Sequence, residues 1–258
     1  MTIDVGEFAL LLLAGAGAGL VGATAGLASL VSYPALLAAG IPPVVANMTN
    51  TVAMLGTTAG AAAGARPELA GQWRRLLPLC VITTTGGVCG GLVLLLTPSG
   101  AFTAVVPWLI GGASLLLVAG PWLRRMAHHP ARQAERHRIG PLAGGAAFLV
   151  GGYAGYFGAA AGVLMLALLT TVWAQPLART NAAKNIATGT ANLVAAVVFS
   201  FTGRVLWPAA IAVCLGSVAG SWLGSILVRY LPATPLRIAI ALAGLVLAVV
   251  LARQAYGG

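Results

Sequence analysis

A chain of 258 residues that is 59% hydrophobic and 7% charged, with a mean hydropathy of +0.96, cannot clothe itself in the polar surface that a soluble fold requires. The formal net charge of +10 does not indicate nucleic acid, because the basic residues stand between hydrophobic runs, and the only acids are Asp4, Glu7, Glu68 and Glu135. What remains is an all-α membrane protein, since the segments of about 10 alternating residues that build a transmembrane barrel are absent.

The N-terminus carries Asp4 and Glu7 where a secretory signal would be basic, so the first apolar run reads as a retained span. Residues 6–40 form a glycine-broken apolar region with Gly15, Gly19, Gly22 and Gly26. Gly17 to Gly22 match the string GxGxxG, but that fingerprint needs a strand before it and a helix after it, and this one is embedded in a span. These glycines serve close helix packing or a break that turns backbone groups toward a polar cavity; both readings stand.

Three stronger spans follow at 46–63, 73–96 and 102–122. A loop at 123–139 then gathers Arg124, Arg125, Arg132, Arg136 and Arg138 with His128, His129 and His137. A second broken region, 141–175, with Gly151, Gly155, Gly158 and Gly162, precedes spans at 182–201, 206–229 and 236–254. Cys80, Cys89 and Cys214 are odd in number and lie within expected spans, as packing residues rather than disulfide partners or metal ligands. No cofactor is called for.

The chain is written twice. A shift of 134 residues lays Pro42 on Pro176, Asn47 on Asn181, Trp73 on Trp207, Cys80 on Cys214, Gly86 on Gly220 and Gly90 on Gly224; upstream of Pro42 the shift is 136 and carries Gly19, Gly22 and Gly26 onto Gly155, Gly158 and Gly162. The expected organisation is one membrane domain over 1–258, with a first repeat at 6–122, the basic loop at 123–139 and a second repeat at 140–255. Each repeat is a glycine-rich helical hairpin plus three transmembrane helices, giving about 8–10 membrane helices. If each broken region doubles back, 12 of the 14 basic residues fall on one side and only Arg204 and Arg253 on the other; a single crossing would leave 10 against 4. The positive-inside rule selects the hairpin, an inverted repeat, a cytoplasmic basic loop and both termini outside. Arms of 14–17 residues are short for spanning, so the hairpins are read as spanning or partly re-entrant.

The first span after each hairpin opens on polar residues: Asn47, Thr49, Asn50 and Thr51 in the first repeat, Asn181, Lys184 and Asn185 in the second. On a helix, Asn181, Lys184, Asn185, Thr188 and Asn192 share a face, as do Asn47, Asn50, Thr51 and Thr58. Lys184 is the chain's single lysine, and no acid falls in an expected span to pair with it. A small oxyanion held by Lys184 and by amides at helix N-termini would satisfy it. Alternatively, the polar residues join helices while Lys184 snorkels to the surface.

The run Gly19-Leu20-Val21-Gly22-Ala23-Thr24-Ala25-Gly26, with Pro34, Gly40, Ala46 and Thr49, and its counterpart Gly155 to Gly162 with Asn181-Ala182-Ala183-Lys184, resembles the sulfite exporter TauE/SafE family of bacterial and archaeal inner-membrane proteins over roughly residues 6–255. The resemblance implies a secondary transporter or exporter of a small sulfur-containing anion, such as sulfite, a sulfonate like sulfoacetate, or thiosulfate. A passive small-anion channel is the alternative, and the absence of paired carboxylates or a Ser-His arrangement in the spans argues against an enzyme. The expected substrate-binding residues are Asn47, Thr49, Asn50, Thr51, Asn181, Lys184 and Asn185 with Gly22, Gly26, Gly158 and Gly162. The expected partners are the anion and the lipid bilayer, without nucleic acid, and with a homodimer left open.

Overall fold

The computed structural model describes residues 3–127, 139–227 and 234–256. The core of the basic loop, residues 128–138, and Arg229 lie outside the described residues. The first helix, α1 (Val5–Ala25), starts at a capping box in which Asp4 Oδ1 accepts from the Glu7 N–H at 2.7 Å and Glu7 Oε2 accepts from the Asp4 N–H at 3.2 Å. It stops at Gly26, whose φ of 80° lies in the left-handed region. There follow α2 (Ser29–Ala38), α3 (Pro43–Gly64), α4 (Arg66–Leu69), α5 (Trp73–Leu96), α6 (Ser99–Ala127), α7 (Pro141–Tyr156), α8 (Ala161–Val172), α9 (Leu177–Ser200), α10 (Trp207–Leu227) and α11 (Thr234–Tyr256). Pro43 and Pro141 each occupy a first helical position, where the missing N–H costs nothing.

Among the described residues five helical segments are long and apolar enough to cross a membrane: α1, α5, the 99–116 part of α6, α9 and α10. At 22 residues α3 is equally long but more polar, and its Asn47, Thr49, Asn50 and Thr51 all turn inward. Large apolar side chains such as Leu13, Val81, Trp108, Leu149 and Val246 face outward instead. A polar inside and an apolar outside define a multi-pass membrane protein.

The broken regions do double back, but with unequal arms. The first pairs 21 residues of α1 with 10 of α2, the second 16 of α7 with 12 of α8. The break falls where the backbone turns left-handed, at Gly26 in the first copy and at Gly158 and Ala160 in the second. At about 1.5 Å per residue α2 and α8 reach roughly half the depth of a 30 Å hydrocarbon core. The two tips meet: a Cβ on Gly26 would lie 2.6 Å from the Gly162 carbonyl carbon. Phe157, beside the second break, stacks edge-on against Tyr33 of α2 at 5.3 Å and against Phe102 of α6 at 6.2 Å between ring centroids.

Close contacts fix the helix directions. Gly15 and Gly19 of α1 face Val213 and Ser217 of α10, while Gly56, Gly60 and Gly64 of α3 face Cys214, Val218 and Trp222, so α1, α3 and α10 run parallel. Gly151 and Gly155 of α7 face Thr83 and Gly87 of α5, and Gly87 and Gly91 face Ala191 and Ala195 of α9, a second parallel set. The sets oppose each other, because Met48 and Thr49 of α3 contact Thr202 and Leu206 whereas Thr58 contacts Gly189. Each broken hairpin thus packs on the other copy's long helix, with glycine letting backbones touch.

The helix contacts run out of step with the sequence repeat. Gly15 faces Val213, and the sequence repeat equates Val213 with Leu79, yet Gly151, the counterpart of Gly15, faces Thr83, four residues further along α5. The carboxamides report the same offset: Asn181 Nδ2 donates to Ala23 O at 2.7 Å, but Asn47 Nδ2 donates at 2.8 Å to Tyr156 O rather than to the equivalent Ala159. The α3–α10 and α9–α5 pairs share one register, since Gly56 abuts Ser217 and its counterpart Thr190 lies 3.1 Å from Thr83, the counterpart of Ser217. A shift of 132 brings the α1 and α7 contacts into step and carries the break at Gly26 onto Gly158, so α7 occupies the same level as α1 with its glycine pattern threaded about one helical turn further along.

A Cβ at Gly87 would lie 2.6 Å from the Ala191 carbonyl oxygen, whereas one at Gly112 would meet nothing within 4 Å. Gly87→Ala is expected to destabilise the fold by about 1–3 kcal/mol, and Gly112→Ala to be neutral or stabilising, as read by thermal unfolding of the purified protein.

Candidate functional site

Where the two breaks meet, a cavity of about 50 Å³ opens between the hairpins, α3 and α9. One water needs roughly 10–15 Å³ by such a measure, so the space suits a small oxyanion. Gly22 and Gly26 line it from the end of α1, Gly158 and Gly162 from the second break, and their missing side chains leave the volume open. Thr57 and Thr58 of α3 and Lys184, Asn185, Thr188 and Asn192 of α9 supply its polar wall.

Lys184 is fully buried, and its ammonium donates to Gly22 O at 3.2 Å. That carbonyl belongs to the last turn of α1 and also accepts the Gly26 N–H at 2.9 Å. Asn181 and Asn185 donate to the next carbonyl, Ala23 O, at 2.7 and 3.3 Å. α9 therefore caps the negative end of α1 with a cation and two carboxamides, an arrangement that eases the cost of burying the charge. From the other side come two positive helix ends: α2 starts at Ser29 and α8 at Ala161, both lining the cavity. An ammonium and two helix N-termini thus converge on one small space.

The expected site residues divide. Lys184, Asn185, Gly22, Gly26, Gly158 and Gly162 reach the cavity wall. Asn181 lies behind it as a cap on α1, with its Oδ1 buried and lacking a hydrogen-bond partner. Asn47 caps the end of α7 in the same way, also with an unpartnered Oδ1. Asn50 is taken by α2, accepting from the Ser32 hydroxyl and donating to Ser29 Oγ at 3.1 Å. Thr49 accepts the Leu206 N–H at 3.0 Å, and Thr51 donates to Asn47 O at 2.9 Å. Of the first copy's stripe Asn47, Asn50 and Thr51 hold helices together and Thr58 reaches the wall, while of the second copy's all but Asn181 line it. Sequence reasoning missed Ser29 and Thr57; their signal lies in position, Ser29 being the first residue after a break rather than part of a stripe.

Fold and cavity together define a polytopic helical membrane protein with a polar cavity at the meeting of two broken helices. The sulfite exporter TauE/SafE family profile matches residues 11–251. The chain belongs to that family and is a membrane transporter rather than an enzyme. It is 26% identical over 227 residues to a probable membrane transporter protein of Haemophilus influenzae, covering 87% of this chain and 86% of the relative. It is 28% identical over 211 residues to the probable membrane transporter protein ORF9 of Sinorhizobium sp, covering 81% and 78%. To the probable membrane transporter protein YfcA of Escherichia coli K12 it is 27% identical over 213 residues, covering 82% and 77%. No solved structure matches the chain.

Asn50 and Asn192 separate the two roles. Asn50→Ala strips Ser29 and Ser32 of their buried partner and is expected to destabilise the protein by about 1–3 kcal/mol. Asn192→Ala, at the cavity wall, is expected to leave thermal stability nearly unchanged.

Proposed function

We propose that this protein is a secondary transporter exporting a small sulfur-containing anion, such as sulfite, thiosulfate or a small sulfonate, across the cell's inner membrane, with the cavity at Lys184 as its substrate site. One observation carries the reading: a buried ammonium and the N-termini of α2 and α8 face the same 50 Å³ space. Each free helix N-terminus favours negative charge, and a charge-assisted bond from Lys184 adds to it. The small volume favours a compact oxyanion over a bulky organic one. Gly22, Gly26, Gly158 and Gly162 let the anion approach backbone.

The two halves, 6–122 and 140–255, form an inverted repeat in this reading. Support comes from the helix directions, since α1, α3 and α10 oppose their counterparts α7, α9 and α5. Small residues recur every four positions at Gly216, Gly220 and Gly224 of α10 and at Gly86 and Gly90 of α5, so a slide of one turn, about 5.4 Å, exchanges one set of backbone contacts for another of the same kind, which supports alternating access. Positive-inside counting puts Arg66, Arg74, Arg75 and Arg179 in the cytoplasm and both termini outside.

Proteoliposome flux of sulfite, sulfate, thiosulfate and sulfonates tests this. Wild-type protein is expected to carry at least one sulfur anion with saturation at carrier-like turnover, and Lys184→Met to lower kcat/KM by roughly 10-fold to 100-fold while staying folded. Unaltered flux in Lys184→Met would remove the cavity from the pathway, and single-channel currents would replace the carrier with a pore. Cysteine labels at either terminus should react from outside in cells, and their appearance on opposite faces would break the inverted repeat.

A further inference from the structure

A second cavity, of about 340 Å³, opens at the start of α5 and α9 and is lined by Gln72, Arg75, Gln175 and Arg179. It lies five residues before Lys184 on α9, about 7.5 Å of helix rise from the central site. Arg179 is braced, its Nε donating to Glu68 O at 3.3 Å and its Nη2 to Ala70 O at 2.7 Å. Gln72 is 2% exposed and donates to Glu68 O at 2.6 Å and Arg179 O at 3.3 Å, tying α4 to α9. The Gln175 Nε2 is buried without an acceptor, and so is a donor in search of one.

The repeat supplies a control within the chain. Across the shift of 134, the counterparts of Gln72, Arg75 and Arg179 are Leu206, Ala209 and Val45, and Ile41 precedes Pro42 as Gln175 precedes Pro176, all four apolar. Ala209 and Ile41 are buried at 0% and 3% exposure, so that end is packed where this one is open. The positive-inside rule accounts for the arginines at this end, but not for the open cavity or for the buried, unpartnered carboxamide nitrogen of Gln175.

We propose that this cavity is a distinct oxyanion-binding vestibule, in which Arg75, Arg179 and Gln175 capture the anion before it reaches Lys184, making the α4–α5 mouth the loading end. The inference rests on the assignment of the central cavity to an anion. The ligand class is a compact oxyanion, supplied either free in solution or as the phosphate of an anionic lipid headgroup. Arg and a carboxamide donor suit both, because planar N–H groups match oxyanion geometry.

The test is sulfite binding by calorimetry to the full-length protein in phosphatidylcholine nanodiscs. Lys184→Met is expected to abolish the tighter component and leave a weaker, saturable one, which Arg75→Gln or Gln175→Leu then lowers about tenfold or more. Arg75→Lys should recover part of the loss, which a purely structural effect would not allow. Residual binding in Lys184→Met that is indifferent to Arg75→Gln and Gln175→Leu, or no residual binding at all, would overturn the vestibule. Wild-type binding in Lys184→Met would instead defeat the central site, and the vestibule would then stand or fall on the Arg75 and Gln175 variants alone. Repeating the titration with phosphatidylglycerol separates the sources: Arg75-dependent competition identifies a headgroup as occupant, and unchanged sulfite binding identifies the free anion.

Discussion

The bond between the Lys184 ammonium and the Gly22 carbonyl sets the terms for the rest of the structure. A lysine with no exposed surface is costly in a helical membrane protein, and the cost is met by ending a helix in the interior so that its carbonyls face the charge. Ending α1 there requires a break, and Gly26 makes it in the left-handed region. A break has two sides, so the positive start of α2 comes to the same place as the negative end of α1. The second hairpin repeats the device, bringing α8 against Gly26. Cation, carbonyls and amides are thereby gathered around one small volume, with polar backbone protected from lipid.

Glycine makes this geometry affordable in packing terms. The hairpins lie against the other copy's long helices at backbone contact, and a methyl group at Gly87 or Gly26 would collide with main-chain atoms. Without a hydrophobic force between helices inside a bilayer, such close approach supplies much of the association. The same four-residue spacing that permits close packing also makes neighbouring registers alike. Structure and candidate mechanism therefore draw on a single sequence property.

Much of the fold was legible because membranes leave few choices: long apolar runs, broken regions and a duplicated pattern of Pro, Trp, Cys and Gly sufficed for helix order and hairpins. The lengths of the hairpin arms were not legible, since the break depends on where Gly26, Gly158 and Ala160 adopt left-handed backbone rather than on composition. Helical periodicity places Asn181, Lys184, Asn185, Thr188 and Asn192 on one face, yet four of them line the cavity while Asn181 caps α1, because periodicity cannot say what a face meets. Asn47 and Asn50 look like Asn181 and Lys184 by position, yet α7 and the hydroxyls of α2 claim them. The vestibule at Arg75 and Arg179 escaped notice because its residues are 104 apart in sequence and become neighbours only when α5 and α9 start side by side.

The central claim is that an oxyanion occupies the space between Lys184 and the N-termini of α2 and α8. A structure determined in selenite, whose selenium scatters anomalously and whose shape mimics sulfite, tests it most directly. The account predicts an anomalous peak within hydrogen-bond reach of Lys184 Nζ and the Ser29 and Gly162 backbone, absent in Lys184→Met. Selenium bound only elsewhere, or an unchanged peak in the variant, would contradict it.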